Sequence, residues 1–264
     1  MGSRAARQDQ RVGDRRAARL AFQAAERRAV AWRRRRNAAF AAVAGAALLI
    51  VLAIGETGGG TSAANGAGVR DAPLSSSLFA GIPQHGTLLG NPNAPVRLIE
   101  YADLQCPYCG EYATQALPHL VTRYVRTGVV SMDFRNLSFI GPDSVTAGRA
   151  AAAAAEQNRL WNFVDLEYLN QGVENTGYVT NAYLQRLFAA IPGLDAAAAE
   201  HASQGPAAAA SLSAATANAY ANGIDSTPSF LIGPANGPLR LFVPSSLTAA
   251  PFAAELNGLL RHSK

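Results

Sequence analysis

The chain has 264 residues, of which 49% are hydrophobic, and it carries a formal net charge of +5. The hydrophobic content excludes a wholly disordered chain, and the composition excludes a collagen-like protein. The two cysteines, Cys106 and Cys109, allow a single internal disulfide, so an apolar core rather than a disulfide framework must stabilise the fold.

The charge is divided unevenly along the chain. Residues 1–36 contain 12 arginines and three acidic residues, whereas residues 37–264 contain 11 basic and 15 acidic side chains, a balance of −4. A basic tail of this kind is typical either of nucleic-acid binding or of a membrane topology signal. The segment that follows the tail favours the second interpretation.

An apolar segment directly follows four consecutive arginines. Residues 38–54 (AAFAAVAGAALLIVLAI) carry no charged or strongly polar side chain, and as a helix they would span about 25 Å, enough for a short transmembrane helix. We therefore predict a single transmembrane anchor at residues 37–55. The alternatives are a cleaved signal peptide, for which the basic segment is too long, and a buried helix, whose flanks would be less polar.

The arginines also predict how the anchor is oriented. By the positive-inside rule, residues 1–36 form a cytoplasmic tail and the C-terminal body lies outside the cell membrane. Because these arginines also attract anionic lipid headgroups, we expect no nucleic-acid partner, and DNA binding by the tail is the alternative. Residues 56–82 are rich in Gly, Ser and Ala, which predicts a flexible linker between anchor and body.

The body, residues 83–264, is long enough for one domain with its own core. Residues 96–101 (VRLIEY) are typical of a buried strand, and residues 129–135 (VVSMDFR) alternate like a second strand. Between them lies a helical pattern in which Pro107 occupies the first turn and Pro118 should produce a kink. Strand, helix and strand in this order predict a parallel pair.

The second half of the body predicts a helical insertion at about residues 142–222, followed by a hairpin and a last helix. The helical segments are 144–171, 180–188 and 206–222, the strands are 229–232 and 239–243, and the last helix is 248–261. The order β-α-β, helices, β-β-α predicts an α/β fold with an inserted helical domain.

The two cysteines lie at the junction between the first strand and its helix. A cysteine at a helix N-terminus meets unpaired backbone N–H groups and the positive end of the helix dipole, which stabilise its thiolate. We therefore predict Cys106 as an accessible catalytic nucleophile and Cys109, one turn later, as the thiol that resolves a mixed disulfide. Pro107 and Tyr108 between them are predicted to support this site.

Two other interpretations of the cysteine pair are open. A zinc site would need two further ligands, but the chain has no second cysteine pair and its four histidines are widely scattered, so we predict no metal site. A purely structural disulfide would close so small a loop that it would constrain the unfolded chain little.

Residues 99–109 (IEYADLQCPYC) and 223–230 (GIDSTPSF) together make the chain similar to the DsbA-like thiol–disulfide oxidoreductases. The resemblance covers residues 86–260 and implies a thioredoxin-like fold with an inserted helical domain. Glutaredoxins share the CPYC motif, so the distant Thr-Pro pair makes the resemblance specific. The chain departs from DsbA in having Pro-Tyr rather than Pro-His between the cysteines, and in its predicted anchor.

The resemblance also implies roles for residues around the dithiol. Pro228 matches the cis-proline that faces the active-site disulfide, and the backbone of Thr227 would then pair with a substrate strand. Glu100 matches a buried acid that relays the proton of Cys109, with a solvated carboxylate at a strand end as the alternative. Tyr108 is implied to tune the redox potential and the surface shape of the site.

The sequence therefore predicts a membrane-anchored, extracytoplasmic thiol–disulfide oxidoreductase that acts on secreted or envelope proteins. The oxidase direction is favoured because the chain lacks the dimerisation domain of dedicated isomerases, and isomerase or reductase activity is the alternative. The resemblance implies a quinone-linked membrane oxidase as redox partner, and we expect no cofactor and a monomer. A non-catalytic, membrane-tethered binding module with an inert disulfide is the alternative from another class.

Overall fold

The computed structural model describes residues 68–262. The strands are β1 (Gln84–His85), β2 (Leu88–Leu89), β3 (Val96–Ala102), β4 (Val130–Asn136), β5 (Ser229–Pro234) and β6 (Arg240–Phe242). The helices are α1 (Ala72–Phe79), α2 (Pro107–Gln115), α3 (Leu117–Leu120), α4 (Pro142–Glu156), α5 (Leu160–Leu169), α6 (Asn181–Ala189), α7 (Ala196–Gln204), α8 (Pro206–Ala221) and α9 (Ala249–His262). A π-helical turn, Val121–Val125, follows α3.

Within these residues the strands form one mixed sheet in the order β1-β2-β4-β3-β5-β6. The central strand β3 runs parallel to β4 and antiparallel to β5, and β5 continues into an antiparallel hairpin with β6. The predicted parallel pair and the predicted hairpin are therefore both confirmed. The short β1–β2 hairpin, which the sequence analysis did not identify, extends the sheet beyond β4.

Strand β3 is buried on both faces. Leu98 lies in the main apolar core, whereas Tyr101 lies in a second cluster that includes Ala219 of α8. The Tyr101 hydroxyl donates a hydrogen bond to Asn218 Oδ1 at 2.6 Å, which ties α8 to the second face. A strand covered on both sides is typically rich in apolar residues, and four of the six residues at 96–101 are apolar or aromatic. The chain leaves this strand directly into the segment that carries Cys106.

Strand β4 shows why alternation of apolar and polar residues does not always mean a solvated face. Met132 and Phe134 are in the core as predicted, but Ser131 and Asp133 on the opposite face are only 2% exposed. Asp133 is stabilised by Arg135, whose guanidinium nitrogen lies 2.6 Å from its Oδ2. The alternation here separates two buried environments, one apolar and one polar.

The helix after the dithiol is broken at Ala116, two residues before Pro118. Proline has no backbone N–H to donate to the carbonyl of Thr114, and its ring disfavours a regular helix in the preceding turn. The chain resumes as α3 and then widens into the π-helical turn. The predicted kink at Pro118 is confirmed.

The helical insertion, α4 to α8, occupies residues 142–221 and agrees with the predicted range. The single helical segment expected at 144–171 is instead two helices, because Asn158 between them adopts a left-handed conformation with φ 56°. The Thr180 hydroxyl caps α6 by accepting from Tyr183 N at 3.2 Å, as predicted. Gly223 follows α8 with φ 69°, the conformation expected of a residue that terminates a helix.

The expectation of a flexible linker through residue 82 is wrong for residues 72–79, which form α1. Phe79 of this helix is 3% exposed and joins the main core. Arg126 donates hydrogen bonds to the carbonyls of Leu78 (2.7 Å) and Ala80 (2.8 Å), at the C-terminal end of the helix. Composition indicated a linker because three serines dominate the segment, but burial of Phe79 stabilises the helix.

The predicted cytoplasmic tail, transmembrane anchor and first part of the linker, residues 1–67, lie outside the described residues. Between residues 68 and 262, no helix combines the length and the apolar character that crossing a bilayer requires.

Candidate active site

Cys106 and Cys109 lie at the N-terminus of α2, where the sequence predicted them. Cys106 is the N-cap residue, and its Sγ accepts a hydrogen bond from the backbone N–H of Cys109 at 3.4 Å. Pro107 is the first helical residue, where a missing N–H costs nothing. Both thiols are free. The side chain that caps the helix is therefore the sulfur expected to act as nucleophile.

The two sulfurs differ in access to solvent, but both side chains are largely covered. Cys106 is 4% exposed and Cys109 is fully buried. The expectation of an accessible nucleophile is wrong for the free dithiol: Cys106 is buried, and its Sγ donates a hydrogen bond to the Thr227 carbonyl at 3.5 Å. Cys106 is the less buried of the two, so we expect a substrate to meet Cys106 before Cys109.

The environment of Cys106 favours its thiolate. The Cys109 thiol, which donates to the Cys106 sulfur, is the main reason that the Cys106 pKa falls from 9.0 to about 7. Burial acts in the opposite direction, while the Thr227 side chain and the backbone N–H groups of Cys109 and Tyr108 lower the pKa further. Cys106 is therefore ionised at a lower pH than an ordinary thiol.

Cys109 has the opposite electrostatic environment. Burial raises its pKa well above the ordinary value for a thiol, and donation to Cys106 together with the negative charges of Cys106 and Glu100 raises it further. Cys106 is therefore the sulfur that can attack as a thiolate. Cys109 stays protonated until Cys106 has formed a mixed disulfide. This asymmetry is what an exchange between dithiol and disulfide requires.

The segment between α8 and β5 reaches the dithiol from a distant part of the sequence. The peptide bond between Thr227 and Pro228 is cis, as the resemblance implied. The Thr227 hydroxyl is buried and has no hydrogen-bond partner among the described residues. We therefore expect this hydroxyl to donate to the Cys106 thiolate once the sulfur is ionised.

Glu100 lies beneath the dithiol on β3 and is 1% exposed, so the alternative of a solvated carboxylate is wrong. Its Oε1 has no hydrogen-bond partner. Burial, and to a smaller extent the charge of Cys106, raises the Glu100 pKa from 4.5 to about 8. The carboxyl group is therefore protonated at neutral pH and can exchange a proton near the resolving thiol.

Tyr112 contributes a polar group that the sequence analysis missed. It is fully buried, its hydroxyl has no hydrogen-bond partner, and its ring lies 4.8 Å from Phe230 and 5.0 Å from Phe252. Phe230 is the residue paired with Glu100 across β3 and β5. The sequence could have identified Tyr112, because it follows Cys109 by three residues and therefore lies on the same face of the helix.

Asp103 organises the loops around the site. It is fully buried, and its Oδ2 accepts from the backbone N–H groups of Phe139 (2.9 Å) and Ile140 (3.0 Å). Its Oδ1 accepts from Gln105 N at 2.8 Å and from the Ser144 hydroxyl at 2.6 Å. Asp103 is thus a loop residue directly after β3 that joins the active-site segment to the helical insertion.

Gln171 provides a second link between the insertion and the dithiol. Its Nε2 donates to the carbonyls of Leu104 (2.8 Å) and Cys106 (3.2 Å), which fixes the backbone just before α2. Sequence reasoning missed this residue because nothing local to position 171 connects it with position 106. The contact exists only because α5 packs against α2.

Apolar side chains are exposed on the segments that surround the dithiol. Tyr108, between the two cysteines, is 45% exposed, and Phe139 and Val173 on the neighbouring loops are 52% and 74% exposed. The Phe139 loop is bonded to Asp103 as described above. Such a rim suits contact with unfolded or extended protein segments, whose side chains are partly apolar.

The asymmetry between the thiols predicts their alkylation behaviour. After mild reduction, the rate of Cys106 modification by iodoacetamide should rise with pH to a midpoint near 7, against about 8.5 for an ordinary thiol. At pH 6 this corresponds to a roughly 30-fold larger thiolate fraction. Mass spectrometry of tryptic peptides reports each site, and Cys109 should lag. Equal midpoints near 8.5 for both thiols would favour an inert binding module.

Most of the described domain matches a known protein family. Residues 84–236 match the family model described as Thioredoxin. Over 98 residues the chain is 35% identical to a Bacillus cereus protein named probable disulfide bond formation protein D, an alignment that covers 36% of this chain and 45% of that protein. The chain therefore spans somewhat less than half the length of this curated relative.

Solved structures give the same fold. The oxidised form of BdbD from Bacillus subtilis superposes with a TM-score of 0.58 at 18% identity, covering 68% of this chain and 97% of that one. The α-DsbA1 of Wolbachia pipientis superposes with a TM-score of 0.58 at 20% identity, covering 72% and 97%. At such identities the likeness shows the fold, including the helical insertion.

Proposed function

The chain belongs to the thioredoxin family, and on this premise we propose that it is a thiol–disulfide oxidoreductase that forms disulfides in other proteins. One observation carries the proposal: Cys106, with a lowered pKa, caps α2 beside the buried Cys109 and opposite the cis-Pro228 segment. The names of the curated relative and of the similar structures support it. The exposed Tyr108, Phe139 and Val173 support protein substrates.

In the oxidase direction the Cys106–Cys109 disulfide accepts two electrons. A substrate thiolate attacks Cys106 Sγ, the disulfide breaks, and Cys109 leaves as a thiolate that takes up a proton, for which the protonated Glu100 is the nearby source. A second thiolate of the substrate then attacks the substrate sulfur of the mixed disulfide. Cys106 leaves as a thiolate, the substrate carries a new disulfide, and the protein is reduced.

Thr227 would hold the substrate during this exchange. Its backbone lies beside Cys106 Sγ, at 3.5 Å through the carbonyl oxygen, so an extended substrate pairing with it would place a cysteine against the sulfur. Recognition through backbone groups tolerates many substrate sequences. Reoxidation of the dithiol would fall to a quinone-linked membrane oxidase, the partner implied by the resemblance to the DsbA-like family.

The reduction potential of the dithiol in a glutathione buffer tests the direction. The lowered Cys106 pKa stabilises the reduced form relative to an ordinary thiol pair, and the proposed oxidase direction requires a potential above about −200 mV. A pKa of about 7 stabilises the thiolate less than in DsbA, so the potential should stay below about −120 mV. A value near −270 mV, with insulin turnover intact, would assign a reductant instead. Absence of turnover in either direction would contradict the exchange activity itself.

We also propose that residues 37–55 anchor the protein with its catalytic domain outside the cytoplasm. The chain offers a direct test, because Cys106 and Cys109 are its only cysteines. In the Cys109→Ser variant, Cys106 should react with a membrane-impermeant maleimide in intact cells, and the protein should resist alkaline extraction from membranes. Labelling only after permeabilisation would reverse the topology, and extraction at alkaline pH would contradict the anchor.

A further inference from the structure

We propose that a cavity separate from the dithiol binds a small organic cation that has an apolar body. The cavity has a volume of about 540 Å³ and lies between α1, the second half of α2, the segment from Pro118 to Arg126, and α5. This volume falls in the range of about 300–1,000 Å³ typical of ligand sites. The proposal is independent of the exchange activity, because neither cysteine lines the cavity.

A nearly buried carboxylate faces the cavity. Asp165 of α5 is 4% exposed and forms no ion pair with any basic side chain in the described part of the chain. Ser75 of α1, which also lines the cavity, is 2% exposed, and its hydroxyl has no hydrogen-bond partner within residues 68–262. Among the described residues it is the one neighbour that favours the Asp165 charge. Placing a carboxylate in such surroundings is costly unless a cation or a strong donor meets it.

The charged groups around Asp165 leave its charge uncompensated. On α1, Asp71 adds a second negative charge at the N-cap, and the cavity-lining residues of α2 are the neutral Ala113 and Thr114. Arg126 is the only basic residue of the lining, and its guanidinium is directed to the carbonyls at the end of α1. The cavity is therefore complementary to a positive charge that the described residues do not supply.

The other residues that line the cavity indicate that the ligand also has an apolar part. Leu74, Leu78, Pro118 and Leu169 present apolar surface, and Leu74 is 67% exposed, so the cavity can be reached from solvent. A bare metal ion or ammonium would leave this surface uncovered. An aryl or alkyl amine would bury its hydrocarbon against the leucines while its ammonium group meets Asp165.

The titration of Asp165 makes this binding depend on pH. Burial, opposed by Ser75 and reinforced by the negative charge of Asp71, raises the Asp165 pKa from 3.8 to about 6. Above pH 6 the carboxylate is ionised and attracts an ammonium group. Below pH 6 it becomes neutral, and the affinity for a cation should fall with it.

Calorimetric titration of the full chain with 2-phenylethylammonium and with 2-phenylethanol tests the proposal. At pH 7.5 the native protein should bind the ammonium compound at least about tenfold more tightly than the alcohol, a difference of about 1.4 kcal/mol. Asp165→Asn should weaken ammonium binding about tenfold and abolish the preference, and the native protein should lose the preference at pH 5. Equal affinities in the native protein, or an unchanged affinity in Asp165→Asn, would overturn the proposal.

A pair of matched variants tests the location without altering the charge. Thr122 and Thr127 are both exposed and both donate to a carbonyl of the preceding helical turn, but only Thr122 lines the cavity. Thr122→Trp should prevent binding of both compounds, whereas Thr127→Trp should bind like the native protein. Binding that survives Thr122→Trp would place the ligand elsewhere. Cys106→Ser should retain ammonium binding, so this result is distinguishable from failure of the exchange activity.

Discussion

Replacing Cys106 by serine is expected to reduce catalysed insulin reduction to the uncatalysed background. A serine hydroxyl cannot form a disulfide, and its pKa is too high for it to ionise where the Cys106 thiol does so near pH 7. Turbidity of precipitating insulin B chains in the presence of dithiothreitol measures the rate. Circular dichroism should show an unchanged fold, because the change replaces one sulfur by oxygen at the edge of the core.

Cys109→Ser is the matched variant and should give a different defect. Cys106 remains able to attack a substrate disulfide, but no second thiol is present to resolve the product, so a covalent complex should accumulate. Non-reducing gel electrophoresis after mixing with a disulfide-bonded client detects this complex. If Cys109→Ser forms no complex, or if Cys106→Ser retains turnover above background, the assignment of nucleophile and resolving thiol is wrong.

The free energy of unfolding of the native protein should fall between pH 5 and pH 8. Replacing Glu100 by glutamine is expected to remove most of this fall. The unfolded chain ionises this carboxyl near pH 4.5, whereas the folded protein keeps it protonated up to about pH 8. Between these values the folded state binds one more proton, so the stability present below pH 4.5 declines as the pH rises. At 1.36 kcal/mol for each pKa unit, and with titration incomplete at both ends of the range, the decline between pH 5 and pH 8 is about 3.5 kcal/mol.

Urea unfolding of the oxidised protein at both pH values measures the larger part of this effect, which comes from burial of Glu100, because the smaller contribution of the Cys106 charge is absent in the disulfide. Asp165 and Glu167 also have raised pKa values in this window, but they are the same in both proteins, so the difference between native and Glu100→Gln isolates Glu100. Glu111→Gln is the control, since Glu111 is an exposed carboxylate on α2. A Glu100→Gln protein with the same pH dependence as the native one would show that the carboxyl is ionised in the folded state.

Tyr112 gives a related prediction about the proton at Cys109. The Tyr112 hydroxyl and Glu100 Oε1 are both buried and have no hydrogen-bond partner in the described residues. The Tyr112 ring packs against Phe230, and Glu100 pairs with Phe230 across β3 and β5. If the Tyr112 hydroxyl donates a hydrogen bond to the Glu100 carboxylate, Tyr112→Phe should shift the pH dependence of the insulin turnover rate while the protein stays folded. A uniform change in rate at every pH would instead indicate a packing role for the ring.

The sequence by itself determined the features that depend on neighbouring residues. The apolar run at 96–101, the alternation at 129–135, the proline at the start of α2 and the threonine cap of α6 each follow from local preferences. The same holds for the position of Cys106 at a helix N-terminus, since Pro107 directly after it begins α2. These contacts span a few residues, so their pattern is visible in the chain.

Only the tertiary structure decided which distant groups meet at the dithiol. Thr227 reaches Cys106 across 121 positions of sequence, and Gln171 reaches it across 65. The burial of Glu100 likewise depends on β4 and β5, which pair with β3 on its two sides and which no pattern around position 100 encodes. Composition also misassigned α1, because the core position of Phe79 outweighs the weak helix preference of three serines. Burial and long-range contact set the proton affinities of the site, and they exist only once the sheet and its helices have assembled.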